Sequence, residues 1–141
     1  MYHYRKTKHT YSKLNASDID HGDCSFCSEQ LQSGAMFDND TMYVVPNRVK
    51  YDMFEGMKVT DHLMVIPKAH HETIRTFNDA EKLDAMNVIS DYEATGYNVY
   101  ARAVGSVSRS KKHQHTHLIK LDDKPSKVVI FSKKPYVLID F

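Results

Sequence analysis

The sequence predicts a single domain that combines short β-strands with one long helix. Several short segments are rich in branched and aromatic residues and end at proline, glycine or charged turns, as strands do. One longer segment has apolar residues at helical spacing. The chain has 141 residues, 41% of them hydrophobic and 26% charged, which is typical of one compact globular domain.

The first two strand candidates are apolar runs that each stop at a proline. TMYVVPN has apolar residues at 42–45 and stops at Pro46, and HLMVIPK stops at Pro67. The density of apolar residues in the second run predicts burial on both faces. Between the runs, residues 47–61 contain Gly56 and scattered charges. We expect a loop there, or a short helix followed by a loop.

The clearest helix candidate is the segment TFNDAEKLDAMNVISDYEATG. Thr76 or Asn78 is suited to the N-cap, and Asp79 and Glu81 fall in the first turn, where the helix dipole favours negative charge. Gly96 is a suitable C-terminal stop. The helix is expected to bury one apolar stripe in the core. The stripe consists of Leu83, Met86, Ile89 and Tyr92.

Four further strand candidates follow the helix. YNVYARAVG is predicted to be a strand from its branched and aromatic content, and GSVSRSKK to be a loop. HQHTHLIKL is predicted to be the next strand and DDKPSK another loop. The last segment, VVIFSKKPYVLIDF, is predicted to form two strands joined at SKKP, a candidate hairpin.

Charge and hydropathy narrow the classes of function. A formal net charge of +1 argues against binding nucleic acid by bulk charge. No apolar run approaches the roughly 20 residues of a membrane-spanning helix, and the basic N-terminus lacks the hydrophobic stretch of a signal peptide. We expect a cytoplasmic protein with no membrane partner. Residues 1–20 are expected to form a basic polar arm, either solvated or partner-binding, and residues 21–141 the single domain.

The segment HQHTHLI places His113, His115 and His117 at alternate positions. Alternate residues of a strand lie on one face about 6.5 to 7 Å apart. Histidine is neutral and nucleophilic near physiological pH and can then accept a proton, so such a row suits nucleophilic catalysis. Structural histidines and a three-histidine metal site are the alternatives.

The two cysteines, Cys24 and Cys27, form a CxxC pair. In a reducing compartment such a pair is more often a metal or redox site than a structural disulfide. The segment lacks the strand-and-helix pattern that follows redox pairs. A metal site, a redox pair and two inert reduced cysteines remain as interpretations of the spacing.

Three motifs together resemble the histidine-triad (HIT) family. HQHTHLI resembles its His-φ-His-φ-His-φ-φ signature, DHLMVIPKAHHETI is similar to its strand-and-turn segment, and the CxxC pair matches the zinc-bearing branch. The resemblance extends over residues 22–121. It implies an α+β fold with an antiparallel sheet of about five strands and one long helix, and a homodimer.

The sequence departs from the family pattern at several positions. Gln114 and Thr116 replace apolar residues within the triad, and Asp61 stands where glycine is usual. Arg109 replaces the glutamine of the Gly-Gln-Ser/Thr-Val run, and Arg102 falls near a position where the family often has asparagine or glutamine. These departures concern the choice of substrate more than the nucleophile.

The resemblance implies a nucleotide hydrolase or nucleotidyl transferase. His115 would attack the α-phosphorus of a nucleoside phosphoramidate, dinucleoside polyphosphate or nucleotide conjugate, forming a covalent nucleotidyl-histidine that water hydrolyses to a nucleoside monophosphate. His117 would orient the site, and Ser110 would assist the leaving group. The expected nucleotide contacts are Val45, Asn47, His62, Leu63 and Arg109.

The resemblance also implies a structural Zn²⁺ ion. Its expected ligands are Cys24, Cys27, His70 and His113, with His71 as an alternative to His70. Cys2His2 is a common tetrahedral ligand set for zinc. Two other classes of function stay open: a nucleotide-binding regulator with little turnover, and a deadenylylating enzyme that processes nucleic-acid ends.

Overall fold

The fold is that of a computed structural model, which describes residues 24–125, 128–131 and 136–139. The predicted arm at residues 1–20 lies outside the described residues. The residues that join the last two predicted strands, 132–135, also lie outside them.

The described residues form two α-helices, two short 3-10 turns and eight strands. The helices are α1 (Glu29–Ser33) and α2 (Asp79–Glu93), and the turns are Ser25–Cys27 and Ile74–Thr76. The strands are β1 (Phe37–Asp38), β2 (Met42–Pro46), β3 (Met53–Phe54), β4 (Met57–Pro67), β5 (Asn98–Ala101), β6 (Thr116–Pro125), β7 (Val128–Phe131) and β8 (Tyr136–Ile139).

The strands β1 to β6 form one antiparallel sheet. Its order is β1-β2-β4-β6-β5, and β3 pairs with β4 outside this path. Strands β7 and β8 pair with each other in a separate antiparallel sheet. The predicted α+β architecture with one long helix is therefore confirmed. Neither helix in the described part of the chain has the length and apolar content needed to cross a membrane.

The segment between the first two predicted strands is a loop at residues 47–52 and a hairpin from Met53 onward, so the prediction of a loop is confirmed only in part. Strand β3 pairs with the start of β4, and Glu55 and Gly56 form the two-residue turn between them. Both have positive φ, 51° and 77°. Two-residue hairpin turns of this kind match the right-handed twist of the strands.

The boundaries of the histidine-bearing strand also differ from the prediction. Strand β6 begins at Thr116, three residues after His113, because the preceding segment bonds elsewhere: the Gln114 N–H donates to the His71 carbonyl (2.6 Å). At its other end β6 continues to Pro125. The predicted DDKPSK loop is thus partly strand.

Helix α2 begins with a capping box at Asn78 and Glu81, as its N-terminal residues predict. The Asn78 side chain accepts the Glu81 N–H (2.9 Å), and Glu81 accepts the Asn78 N–H (2.7 Å). Gly96 (φ 91°) follows the helix end. However, Leu83 and Met86 are 63% and 61% exposed, so half of the predicted core stripe was wrong. The buried face is offset from it and consists of Glu81, Ala85, Val88, Ile89 and Tyr92.

The large sheet separates two layers of packing. In β6, Leu118 pairs with Leu63, and His117 pairs with Met64, so successive residues face opposite sides. Helix α2 covers the side of Leu63 and Leu118. The side of Met64 and His117 is covered by the segment that contains Phe26 and by the residues between β2 and β4. The histidine row therefore lies on the face without the long helix.

Candidate functional site

The three alternating histidines lie at the entrance to β6 and are all buried. His113, His115 and His117 are 1%, 6% and 3% exposed. Phe26 contacts the rings of both His113 and His115, with centroid distances of 5.8 and 5.3 Å. The His115 and His117 rings meet edge to face at 5.0 Å. The three side chains remain on one side of the sheet although only His117 lies within the strand.

The first histidine of the row belongs to a cluster with both cysteines. The ligand atoms of Cys24, Cys27, His70 and His113 all lie within 4.8 Å of one another. The His113 Nδ1 lies 3.3 Å from the Cys24 Sγ and 3.4 Å from the Cys27 Sγ, and the His70 Nδ1 lies 3.3 Å from the Cys27 Sγ. These four residues are close enough to hold a metal ion.

The donor set and its surroundings fit a tetrahedral metal site. Bond lengths of about 2.0 to 2.3 Å imply donor separations of about 3.3 to 3.8 Å in a tetrahedron, close to the observed distances. The His113 Nε2–H donates to the Pro67 carbonyl (2.9 Å), which leaves Nδ1 unprotonated toward the sulfurs. Burial, together with the neighbouring Cys24, raises the pKa of the Cys27 thiol to about 11, so metal binding must displace thiol protons.

His71, the alternative ligand, is engaged elsewhere. Its Nε2 lies 3.0 Å from the Glu81 Oε1, and its Nδ1 lies 2.9 Å from the Thr76 Oγ1. Burial by itself raises the pKa of Glu81, but its hydrogen bond from the Asn78 backbone and its contact with His71 lower the pKa overall. His71 therefore ties the turn after β4 to the start of α2, and the cluster contains His70.

The middle histidine is held in one tautomer by its own loop. The His115 Nδ1 lies 2.8 Å from the His113 carbonyl oxygen and donates to it. A neutral imidazole then has its lone pair on Nε2. His115 therefore presents an unprotonated nitrogen while its orientation is fixed by a backbone hydrogen bond. These are the requirements for a nucleophile.

Positive charges act on His115. Burial is the largest influence and lowers the pKa of His115, while the hydrogen bond to His113 raises it. The charges of Arg109, Arg102 and Lys111 then lower the pKa further. His115 therefore stays neutral to a lower pH than a histidine in water.

The third histidine is fixed by a hydrogen-bond cycle with His62 and Tyr51. The Tyr51 N–H donates to the His62 Nδ1 (3.1 Å), so the proton of neutral His62 is on Nε2. That Nε2–H donates to the His117 Nδ1 (2.9 Å), and the His117 Nε2–H faces the Tyr51 hydroxyl (3.3 Å). Burial is the main cause that lowers the pKa of His117 to about 2, and the neighbouring His115, His62 and Arg102 also lower it.

Tyr51 and Tyr100 were not predicted from the sequence as residues of this site, and Arg102 was noted there only as a departure from the family pattern. The Arg102 Nη2 donates to the Tyr51 hydroxyl (2.6 Å), and its Nη1 lies 3.3 Å from the His117 Nε2. The guanidinium carbon lies 5.6 Å from the Tyr51 ring centre and 5.7 Å from that of Tyr100. Both distances fall within the range of cation–π contacts.

Arg109 organises the loop before the triad. Its Nη2 donates to the carbonyls of Glu72 (2.8 Å) and Lys112 (2.6 Å), and its Nε donates to the Lys111 carbonyl (3.0 Å). The same Nη2 lies 3.2 Å from the Gln114 Oε1. The charge of Arg109 thus affects the pKa of His115, while its N–H groups are hydrogen-bonded to backbone carbonyls.

The other predicted site residues lie in several settings. Val45 and Leu63 are buried in the cores on opposite sides of the sheet, and Ser110 is exposed in the loop before the triad. Asn47 is half-buried: its Oδ1 accepts the Val49 N–H (3.1 Å), and its Nδ2 lies 3.2 Å from the His62 Nε2. Asn47 and His62 therefore lie together at the end of β2.

Asp61, which departs from the family pattern, has a structural partner. Its Oδ2 accepts a short hydrogen bond from the Tyr97 hydroxyl (2.5 Å), and its Oδ1 accepts the His62 N–H (2.8 Å). Burial, together with Asp61, raises the pKa of Tyr97 to about 12. The carboxylate therefore links Tyr97, which directly precedes β5, to strand β4 beside His62.

Comparisons with known proteins relate this architecture to solved structures. No protein-family model matches the chain, and no curated protein matches it in sequence. A HIT family hydrolase from Clostridium thermocellum has a TM-score of 0.56 and 16% identity, covering 74% of this chain and 96% of that one. A histidine triad nucleotide-binding protein from Candida albicans has a TM-score of 0.55 and 18% identity, covering 81% and 86%.

A third match has the highest identity of the three. It is a histidine triad protein from Clostridium difficile, with a TM-score of 0.50 and 21% identity, covering 74% of this chain and 95% of that one. At these identities the likeness concerns the fold. The chain therefore has the α+β fold of histidine-triad proteins.

Proposed function

We propose that this chain belongs to the zinc-bearing branch of the histidine-triad family and is a nucleotide hydrolase or nucleotidyl transferase. Its substrate would be a nucleoside phosphoramidate, a dinucleoside polyphosphate or a nucleotide conjugate. The observation that supports this most is the state of His115, whose Nδ1–H is held by the His113 carbonyl and whose Nε2 presents a lone pair beside His117. The fold shared with proteins named as hydrolases and nucleotide-binding proteins supports it by analogy.

The proposed reaction has two steps. The His115 Nε2 attacks the α-phosphorus, the leaving group departs, and a nucleotidyl-histidine forms; water then releases a nucleoside monophosphate. His117 orients the reacting group and contributes a hydrogen-bond donor, since its Nδ1 accepts from His62. Ser110 assists the leaving group, and Arg109 adds positive charge near the phosphates.

We assign the base and ribose to the end of β2 and the adjoining part of β4. Asn47 is our candidate for the ribose hydroxyls, and His62 lies against it. Val45 and Leu63 are proposed to support this subsite by packing on the two opposite faces of these strands. Val45, His62 and Leu63 lie on the paired strands β2 and β4. Asn47 follows β2 directly and its N–H donates to the His62 carbonyl (2.8 Å), which is why we group the four residues.

We propose Zn²⁺ as the ion held by the cysteine and histidine cluster. Thiolate and imidazole ligands together favour zinc over magnesium or calcium. The bound ion would supply structural cross-linking between the segment of Cys24 and Cys27 and the start of the triad. The His113 Nε2–H donates to the Pro67 carbonyl, and the His113 carbonyl accepts a hydrogen bond from the His115 Nδ1–H.

We further propose a cytoplasmic homodimer whose partner molecule is a nucleotide, without a membrane or nucleic-acid partner. Free Cys24 and Cys27 suit a reducing compartment. Strand β5 lies at the edge of the sheet and exposes 43% of Val99. An edge strand with an apolar side chain is suited to pairing with a second copy.

A substrate panel with a covalent trap tests this proposal. Adenosine phosphoramidate, a dinucleoside polyphosphate and adenylylated DNA are assayed in parallel, and a reaction with α-labelled nucleotide is quenched. We expect release of nucleoside monophosphate and acid-labile label on His115. Tight nucleotide binding without turnover would favour the regulator, and turnover of adenylylated DNA alone would favour the end-processing enzyme. Label on His113 or His117 would contradict the assigned nucleophile.

A further inference from the structure

Arg102 places a fixed positive charge beside the reacting row. It follows β5 directly, and its guanidinium carbon lies over the rings of Tyr51 and Tyr100, 5.6 and 5.7 Å from their centres. Its Nη2 donates to the Tyr51 hydroxyl, and its Nη1 lies 3.3 Å from the His117 Nε2. Two aromatic faces and one hydroxyl thus orient the guanidinium toward the histidines.

The Arg102 Nη1 and the His117 Nε2 are both hydrogen-bond donors. The hydrogen bonds from Tyr51 to His62 and from His62 to His117 require the proton of His117 to be on Nε2. The 3.3 Å approach is therefore a contact between an N–H group and a cation. Two neighbouring N–H donors can together bind one anionic oxygen.

The positive charge extends beyond this contact. Arg109 and Lys111 lie in the loop directly before the triad and add two further cations. The His115 and His117 rings are in contact, and Arg102 contacts His117. A phosphorus that reacts with His115 therefore lies near the Arg102 guanidinium. The site thus combines a neutral nucleophile with a positive field.

We propose that Arg102 makes this site selective for nucleotides whose leaving group is a phosphate or polyphosphate anion, rather than an amine. The inference rests on the proposed function and names its substrate class. An amine leaves as a neutral group after it gains a proton. A phosphate leaves with negative charge, which a guanidinium stabilises directly.

The proposed step balances without a further reactant. The lone pair of the His115 Nε2 forms a bond to the α-phosphorus, and the bond from that phosphorus to the bridging oxygen breaks. The electron pair leaves with the bridging oxygen, and the positive charge of Arg102 stabilises it. Water then attacks the phosphorus, the N–P bond breaks, its electron pair returns to His115, and one proton passes to solvent.

The test compares two substrates that share a nucleotide and differ in the leaving group: diadenosine tetraphosphate and adenosine 5′-phosphoramidate. The variants are Arg102→Gln, Arg102→Lys, and Arg75→Gln as a matched control at an exposed arginine. Wild type should show the higher kcat/KM on the tetraphosphate. Arg102→Gln should lower that value about 100-fold, the scale for losing one preorganised donor, and change the phosphoramidate value far less. Arg102→Lys should recover most of the loss, and Arg75→Gln should change neither value.

Each other outcome is decisive. Equal losses on both substrates, with no recovery in Arg102→Lys, would show that Arg102 only positions Tyr51 and His117. An unchanged tetraphosphate value in a folded Arg102→Gln, or a wild-type preference for the phosphoramidate, would also overturn the inference. If Arg102→Gln does not fold, the wild-type preference and Arg102→Lys still decide. Wild type that turns over neither substrate would instead refute the proposed function.

Discussion

The His62 Nε2 lies 2.9 Å from the Nδ1 of His117, on the neighbouring strand. The backbone N–H of Tyr51 fixes the direction of this bond, because it donates to the other nitrogen of His62. His62 therefore sets the tautomer of His117. The tautomer in turn decides which nitrogen of His117 faces Tyr51 and Arg102.

Breaking this bond should change the tautomer of His117. We expect His62→Phe to lower kcat by about 10- to 100-fold, the usual range for a lost orienting partner. His62→Gln can still accept from Tyr51 and donate to His117, so it should recover much of the activity. Nitrogen NMR shifts of the His117 ring give a readout that packing alone does not move. Unchanged shifts in His62→Phe would show that His62 does not set the tautomer.

The second prediction concerns His115. We expect His115→Asn to keep the fold and the metal while turnover falls by several powers of ten, since the attacking atom is removed. His117→Ala should cost less, because it removes an orienting group. The measurements are single-turnover kinetics, circular dichroism and metal content. Wild-type turnover in His115→Asn would rule out a histidine nucleophile and favour the binding regulator.

Much of the fold was predictable because local sequence and tertiary contacts agree. The two proline-ended strands and the Asn78 cap follow local rules that the structure obeys. The helix stripe failed because Glu81 occupies the buried face, where its carboxylate accepts from Asn78 and contacts His71. A buried polar residue does not contribute to an apolar pattern, so Leu83 was assigned to the core in error.

The candidate site was predictable only in part. Cys24 and His70 were found because their motifs have fixed spacing, and the structure brings them together. Tyr51 was missed as a site residue, and the contact of Arg102 with His117 was not foreseen, because these residues come from separate segments and meet only through the pairing of strands. No short-range sequence pattern predicts contacts between residues that are so far apart in the chain.

The third prediction concerns the metal. Purified protein should contain about one zinc per chain, and chelation should lower the Tm by about 10 °C, since each kcal/mol of lost binding free energy costs about 4 °C. His70→Ala should lose zinc, whereas His71→Ala should retain it, because His71 contacts Glu81. Elemental analysis and thermal melts make the comparison. Zinc-free protein from a chelator-free preparation would contradict the site.

The fourth prediction concerns acid stability. Burial lowers the pKa of His117 to about 2 in the folded protein, so between about pH 6.5 and 2 the unfolded state binds one more proton at this residue. The free energy of unfolding should therefore fall with pH below about 6.5, by about 1.4 kcal/mol per pH unit from this group. His117→Gln should flatten that slope in denaturant titrations. An equal slope in the variant would show that other groups dominate.

The last prediction separates Arg109 from Arg102. Arg109 directs its guanidinium at the carbonyls of Glu72 and Lys112 and at the Gln114 side chain, so its main effect should be on the order of the loop before the triad. Arg109→Gln should therefore lower the Tm and reduce kcat/KM by a similar factor for a polyphosphate and a phosphoramidate. Parallel assays of both substrates, with thermal melts, provide the measurement.

Arg109→Lys serves as the control, because a lysine keeps the charge but lacks the planar fork that reaches several carbonyls. If Arg109 acts through these hydrogen bonds, the lysine should fail to restore either the Tm or the rate. Restored activity at a lowered Tm would show instead that its charge on His115 is what matters, since Arg109 also lowers the pKa of that histidine. A loss confined to the polyphosphate would place Arg109 with Arg102 as a residue that selects the leaving group.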